Sequence, residues 1–288
     1  MSLFWSQWKP EFYNGGAIRT LARSWKIDVV RLPIAAMAPG FLDDPTGELR
    51  KAEAVIDAAI DAGLYAIVDW HGDLPHTDHA VAFFDAIAGK YGNDPHVIYE
   101  TWNEPGADFD WSTDIAPHHE RTARAIRAHA PDAPVILGIP NFCTAVDHPI
   151  GAPIPLENAA YAFHFYAGSH RQGLRDRLKS ALEGGLCMFV SEWGCGEASG
   201  DGILDFEEAR QWLRYLDENG ISHVNWSLCD KREACAALRP GARCSGPWPW
   251  WTLTPSGRFV RSYLRNVRTR RRRRAAGRFL QADQHIKA

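Results

Sequence analysis

Two glutamates, Glu104 and Glu192, each stand where a short apolar run gives way to a loop. Val97-Ile98-Tyr99 is apolar and β-branched enough for a buried strand, and Asn103-Glu104-Pro105 ends that stretch. Pro105 has no N–H to continue a ladder, so Glu104 falls at the strand's C-terminal tip. Cys187-Met188-Phe189-Val190-Ser191 repeats the pattern and leads into Glu192-Trp193-Gly194. A single Asn-Glu-Pro reads equally well as a surface carboxylate beside a turn proline. A second strand-end glutamate tips the reading toward chemistry. Two such carboxyls, one protonated and the other ionised, are the equipment needed to break a glycosidic bond.

Residues so far apart in sequence need a scaffold that gathers strand ends, and the chain alternates strands with helices throughout. Strand signals fall at Met1–Phe4, Val29–Leu32, Ala66–Trp70, Val97–Thr101, Val135–Gly138, Tyr161–Phe165, Met188–Ser191 and His223–Ser227. Helical periodicity falls at Ala17–Trp25, Glu48–Ala62, Asp78–Tyr91, Ile115–Ala130, Leu174–Glu183 and Phe206–Asn219, and a last helix ends near Val267. Eight βα units in this order predict an α/β fold, a single-domain TIM (β/α)8 barrel, with catalytic side chains at the C-terminal ends of the strands. The catalytic domain is expected over 1–267, with a disordered, Arg-rich tail over 268–288.

The motifs Asn103-Glu104-Pro105 and Ser191-Glu192-Trp193-Gly194 resemble those of glycoside hydrolase family 5, in its bacterial endoglucanase branch. Val29-Val30-Arg31, Ile67-Val68-Asp69-Trp70-His71, Ala162-Phe163-His164-Phe165-Tyr166 and Val224-Asn225-Trp226-Ser227 fall in that family's order, so the resemblance runs from about Met1 to Leu264. It implies a retaining endo-β-1,4-glucanase with Glu104 as proton donor and base and Glu192 as nucleophile. It further implies that Arg31, at the tip of its strand, keeps Glu192 ionised and that Asn103 donates to the sugar 2-hydroxyl. Tyr166 would lie beside the nucleophile, and His164 and His71 would hydrogen-bond carboxylates and sugar hydroxyls. Trp226 and Trp8 would be stacking platforms, while Ala198, Ser199, Lys231 and Glu233 would meet more distant sugars. Phe4 stands where some relatives carry histidine and Ala35 where some carry tyrosine, which puts subsite affinity in question. Other readings within reach are a β-mannanase, a mixed-linkage glucanase or an inactive glucan-binding protein.

Composition bounds the partners. The 288 residues are 45% hydrophobic and include 12 Trp, which suits a site where rings stack on the C–H faces of sugars. From Arg265 onward nine Lys/Arg face one Asp, a formal +8 within a total of −3, so the remainder carries −11. An acidic body with no basic groove argues against nucleic acid as the main partner. The arginine run Arg270–Arg274 reads as a solvated tail, with attachment to a polyanion as its functional alternative. His71, His76 and His79 with Asp69, Asp73 and Asp78 make a loose cluster without an H-x-H strand end, so neither a metal nor another cofactor is expected. The six cysteines match no metal spacing and leave thiols or disulfides open, with Cys229, Cys235 and Cys244 the nearest candidates to pair. No stretch reaches transmembrane length, and a monomer is expected. The family resemblance implies export, yet Met1–Trp5 shows neither a charged n-region nor an apolar h-region. A signal and the start of the first strand are therefore expected upstream, or the product is clipped.

Overall fold

The computed structural model describes residues 1–269. Its centre is a parallel sheet of seven strands in sequence order: β1 (Val29–Ala35), β2 (Tyr65–His71), β3 (Val97–Glu100), β4 (Val135–Leu137), β5 (Ala159–Tyr166), β6 (Met188–Gly194) and β7 (His223–Asn225). The predicted first strand makes no full ladder. Instead, Met1–Phe4 lies between β1 and β7 and joins them by parallel bridges, Ser2 to Arg31 and Leu3 to Leu228. Ser2 N donates to Asn225 O and Leu3 N to Arg31 O, so both rims are tied and the sheet closes on itself. The fold is the expected α/β barrel.

The outer layer comprises α1 (Gly15–Thr20), α2 (Pro45–Asp61), α3 (Thr77–Tyr91), α4 (Ala116–His129), the short turns α5 (Pro140–Cys143) and α6 (Asp147–Gly151), α7 (Gln172–Glu183) and α8 (Phe206–Asn219). A further helix covers 255–269. Between β4 and β5 only the two short turns are present, so one of the eight expected βα units lacks a full helix. α2 shows why such a segment becomes helical: Asp44 caps Gly47 N, Pro45 opens the first turn, and Ala52, Val55, Ile56 and Ala59 form one buried stripe.

Two strands run further than their apolar residues suggest. β1 continues through Pro33 to Ala35, so Arg31 lies inside the strand rather than at its tip. β6 continues through Glu192 to Gly194. Side chains alternate across a strand, so Arg31, Asp69, His71 and Glu100 turn into the barrel while Val30, Val68, Trp70 and Tyr99 face the helices. Of the tail expected over 268–288, residues 270–288 lie outside the described residues, while Arg268 and Thr269 belong to the last helix, and Arg268 Nη1 reaches Asp28 Oδ1 at 2.9 Å. All six cysteines are free thiols, Cys229, Cys235 and Cys244 included.

Candidate active site

β3 delivers Glu104 through a tightly fixed exit. Thr101 N donates to Ile136 O, Asn103 N donates to Trp70 O, and Trp102 Nε1 donates to Gly72 O. A side chain at Gly138 would fall onto the Trp102 carbonyl, so only glycine lets β4 approach this turn. On the other side, Gly194 explains the Glu-Trp-Gly spacing: any Cβ there would enter the Tyr166 ring and meet Cys235 Sγ. With glycine present, Tyr166 packs against the strand that carries Glu192.

The two carboxyls meet. One carboxylate oxygen of each, with a ring nitrogen of His164, all lie within 4.8 Å of one another. Arg31 Nη1 donates to Glu192 Oε2 at 2.9 Å, and the Tyr166 hydroxyl donates to Glu192 Oε1 at 2.5 Å. His164 Nδ1 lies 2.6 Å from Glu104 Oε1, and its Nε2 lies 2.9 Å from Ser191 Oγ. Burial lowers His164 to about 4, so the ring is neutral at ordinary pH. Burial also pushes Glu104 up, to about 7, against the pull of Arg31. Glu192 is raised as well, first by burial and then by the Glu104 charge, with His164 and Arg31 opposing. The contrast between the two glutamates is therefore carried by their donors. Glu192 accepts from a guanidinium and a phenol, while Glu104 faces a neutral imidazole and keeps 27% of its side chain exposed.

The other expected residues separate into layers. Asn103 Oδ1 accepts from Arg31 Nη2 at 2.5 Å. His71 is held by Asp69 Oδ2 at 2.6 Å, edge-on to Trp5 and stacked on Trp226 at 5.5 Å between centroids. Trp8, Trp226, His71, Ala198, Ser199, Lys231 and Glu233 all line one cavity of about 220 Å³ that reaches Glu104 and Glu192. Lys231 pairs with Glu233 at 2.5 Å and sits over the Phe4 ring, which packs on Trp226. Among the described residues, Glu104, His164 and Glu192 are the group whose spacing would hold a metal ion; His71, His76 and His79 do not form one.

Several residues assigned no role in the cleft from sequence belong to it. Trp5 and Asp73 line the same cavity. A second cavity, of about 480 Å³, opens on the far side of Glu104 and is lined by Asn141, Phe142, Thr144 and His170. Asn141, Phe142 and Cys143 all have left-handed backbone, and Phe142 is 54% exposed. Three successive non-glycine residues with positive φ mark a constrained site that no local signal announces. Asp69, named from sequence only in a motif and in the loose His/Asp cluster, and Glu100 are both fully buried against Arg31 at 3.0 and 2.6 Å. A charged residue inside an apolar strand was their visible signal.

A parallel barrel that gathers two glutamates in an aromatic-lined cleft holds the equipment that breaking a glycosidic bond requires. A family model described as cellulase (glycosyl hydrolase family 5) matches residues 1–232. The chain belongs to that family. It is 39% identical to endoglucanase Z of Dickeya dadantii over 92% of this chain and 62% of the relative, and 41% identical to endoglucanase A of Evansella cellulosilytica over 92% and 55%. It thus spans a little over half the length of these curated relatives. Among solved structures, the catalytic domain of Thermobifida fusca endoglucanase Cel5A superposes with a TM-score of 0.87 at 33% identity, covering 92% of this chain and 90% of that one. A variant of that domain has been solved in complex with cellotetraose.

Proposed function

We propose that this chain is a retaining endo-β-1,4-glucanase acting on cellulose or soluble β-glucan, its catalytic unit spanning 1–267. The observation that carries the reading is the placement of Glu104 and Glu192 oxygens within 4.8 Å of one another, each with its own donor set. Oxygens that close favour retention, where the carboxyls sit about 5–5.5 Å apart, over inversion, where roughly 6.5–9.5 Å admits a water.

In this reading Glu192 attacks the anomeric carbon, with Arg31 and Tyr166 holding its charge and aim. Glu104, protonated near neutrality, gives its proton to the leaving oxygen. A glycosyl-enzyme results, and Glu104, now ionised, takes a proton from the water that hydrolyses it. Asn103 has its Oδ1 committed to Arg31, which turns its Nδ2 toward a sugar 2-hydroxyl. Trp8 and Trp226 receive sugars on the nucleophile side, and Lys231 with Glu233 meets hydroxyls further out. The cavity around Phe142 receives the leaving-group side of the chain. A cleft with seats on both sides of the scissile bond supports internal cleavage of a polymer. The relatives' endoglucanase names and the cellotetraose complex support glucan as that polymer. Action on an extracellular polymer also fits export.

The test is viscometry on carboxymethyl cellulose with wild type, Glu104→Gln and Glu192→Gln. Wild type is expected to lower viscosity quickly, releasing products of β configuration. Glu104→Gln should slow the rate by about 10²–10⁴-fold with the fold retained, and Glu192→Gln by at least as much. Cleavage of mannan in preference to glucan would overturn the substrate, and undiminished activity in either variant would overturn the roles.

A further inference from the structure

Arg31 is fully buried and carries more negative charge than one guanidinium can balance. Its Nε donates to Glu100 Oε2 at 2.6 Å and its Nη1 to Glu192 Oε2 at 2.9 Å, while its Nη2, which donates to Asn103 Oδ1, lies 3.0 Å from Asp69 Oδ2. If all three carboxyls were ionised, the cluster would hold −2 in the barrel interior. Ion clusters sealed from water do not tolerate such an excess. Among the described residues, no neighbour supplies the missing positive charge. His71 and His164 are both held neutral by burial. Glu104 can only add negative charge. Tyr13, beside Asp69, and Cys143, beside Glu100, are pushed far upward by burial and stay un-ionised.

We propose that Asp69 and Glu100 share one proton throughout the working pH range and serve as positioning residues for Glu192, so that Arg31 faces two negative charges rather than three. The strand register puts Asp69 of β2 opposite Glu100 of β3, so the two carboxyls stand side by side on the inner face. Asp69 spends Oδ2 on Arg31 and on His71 Nδ1, and Glu100 spends Oε2 on Arg31; the other oxygens, Asp69 Oδ1 and Glu100 Oε1, are buried without a hydrogen-bond partner, the latter 4.0 Å from the neutral His164 Nε2. Two sealed, bare oxygens on adjacent acids are better held as one acid and one carboxylate than as two carboxylates. Burial pushes both groups upward, against the pull of Arg31, which is the direction this arrangement needs. The consequence reaches the chemistry. A third charge on Arg31 would loosen its hold on Glu192 and raise the affinity of both glutamates for protons.

The inference rests on Glu192 being the nucleophile, and its test is separable from that assignment. The pH profile of kcat/KM on a soluble chromogenic cello-oligosaccharide would be recorded for Glu100→Gln, Asp69→Asn and the double variant. An amide mimics the protonated member of the pair, so either single substitution should leave both limbs within about 0.3 pH unit of wild type. The double variant removes the remaining charge and should move both limbs to lower pH by about one unit or more. Values of kcat can fall in all three, since Arg31 loses anchorage; the limbs decide. A shift in either single variant would mean that both acids are ionised, and no shift in the double would mean that both are protonated. Each result overturns the shared proton. If Asp69→Asn fails to fold, infrared spectra at neutral pH in a Glu104→Gln background decide instead. A band from an un-ionised buried carboxyl should be present there and vanish on adding Glu100→Gln; its absence at the outset overturns the proposal. Failure of Glu192 as nucleophile would show separately, as activity surviving in Glu192→Gln.

Discussion

Glu104 has opposing effects on function and stability. Its carboxyl is pushed to about 7 by burial, which keeps it a proton donor near neutrality. A carboxyl that binds its proton more tightly folded than unfolded makes the native state lose stability as pH rises from the ordinary carboxyl range to about 7. Above that pH the full cost is in place. Glu104→Gln removes the titration, so the variant should unfold at a higher temperature than wild type at pH 8, by an amount on the order of 1–3 kcal/mol. The difference should shrink toward zero as pH falls below the ordinary carboxyl range. Thermal unfolding of both proteins across that range checks it, and a variant no more stable than wild type at pH 8 would remove burial as the cause of the shift. Glu104 and Glu192 were legible because each closes an apolar run, a pattern one strand can display by itself. Asp69 and Glu100 were not, because their role depends on a register between strands that no single segment encodes.

At the scale of elements, the ends of β3 and β4 are pinned by two adjacent histidines of α4. His119 Nε2 donates to Gly138 O at 2.8 Å, and its Nδ1 accepts from the Thr101 hydroxyl at 2.7 Å. His118 Nε2 donates to Thr101 O at 2.8 Å, with Nδ1 on the Thr77 hydroxyl. A carbonyl accepts only, so each ring carries its proton on Nε2 and is neutral. Burial holds His118 at about 4 and His119 at about 3. The unfolded chain therefore takes up these protons below the ordinary histidine range while the folded chain does not. Stability should fall as pH drops from about 6.5 toward 4, by roughly 1.4 kcal/mol per pH unit for each histidine fully in that window. Urea midpoints across the range test it; since His71 and His164 are also held neutral by burial, His119→Gln should remove one histidine's share of the slope, roughly 1.4 kcal/mol per pH unit, and an unchanged slope would place the acid sensitivity elsewhere. Both histidines lie in α4, which was legible as a helix from its periodicity. Their clamp on the exit that carries Asn103 and Glu104 was not, since it joins a helix to two strand ends distant in sequence.

The whole molecule depends on closure, and closure depends on four residues whose sequence looks too short to matter. Met1–Phe4 reads as a fragment of a strand, and the structure shows it as a seam rather than a strand. Its backbone donates to both rims, and its Leu3 side chain is fully buried. The site needs that seam, since β1 carries Arg31 on one rim and Trp226 follows β7 on the other. Phe4 itself packs against Trp226 at 5.2 Å between ring centroids. The order of the barrel was legible from the alternation of strands and helices; how its edges meet was not, because two single bridges leave no pattern in sequence. Leu3→Pro removes the Leu3 N–H that donates to Arg31 O, and with it the tie between the seam and the strand that positions the nucleophile's cation. The expected loss is about 3 kcal/mol or more of stability, seen as a lowered denaturant midpoint. Leu3→Ala keeps that donor and empties a buried site, at about 2–5 kcal/mol. If the seam also sets the site, Leu3→Pro should lower kcat further than Leu3→Ala when both are assayed well below their unfolding transitions. Equal kcat in the two variants would show that closure supports the fold without aligning Arg31.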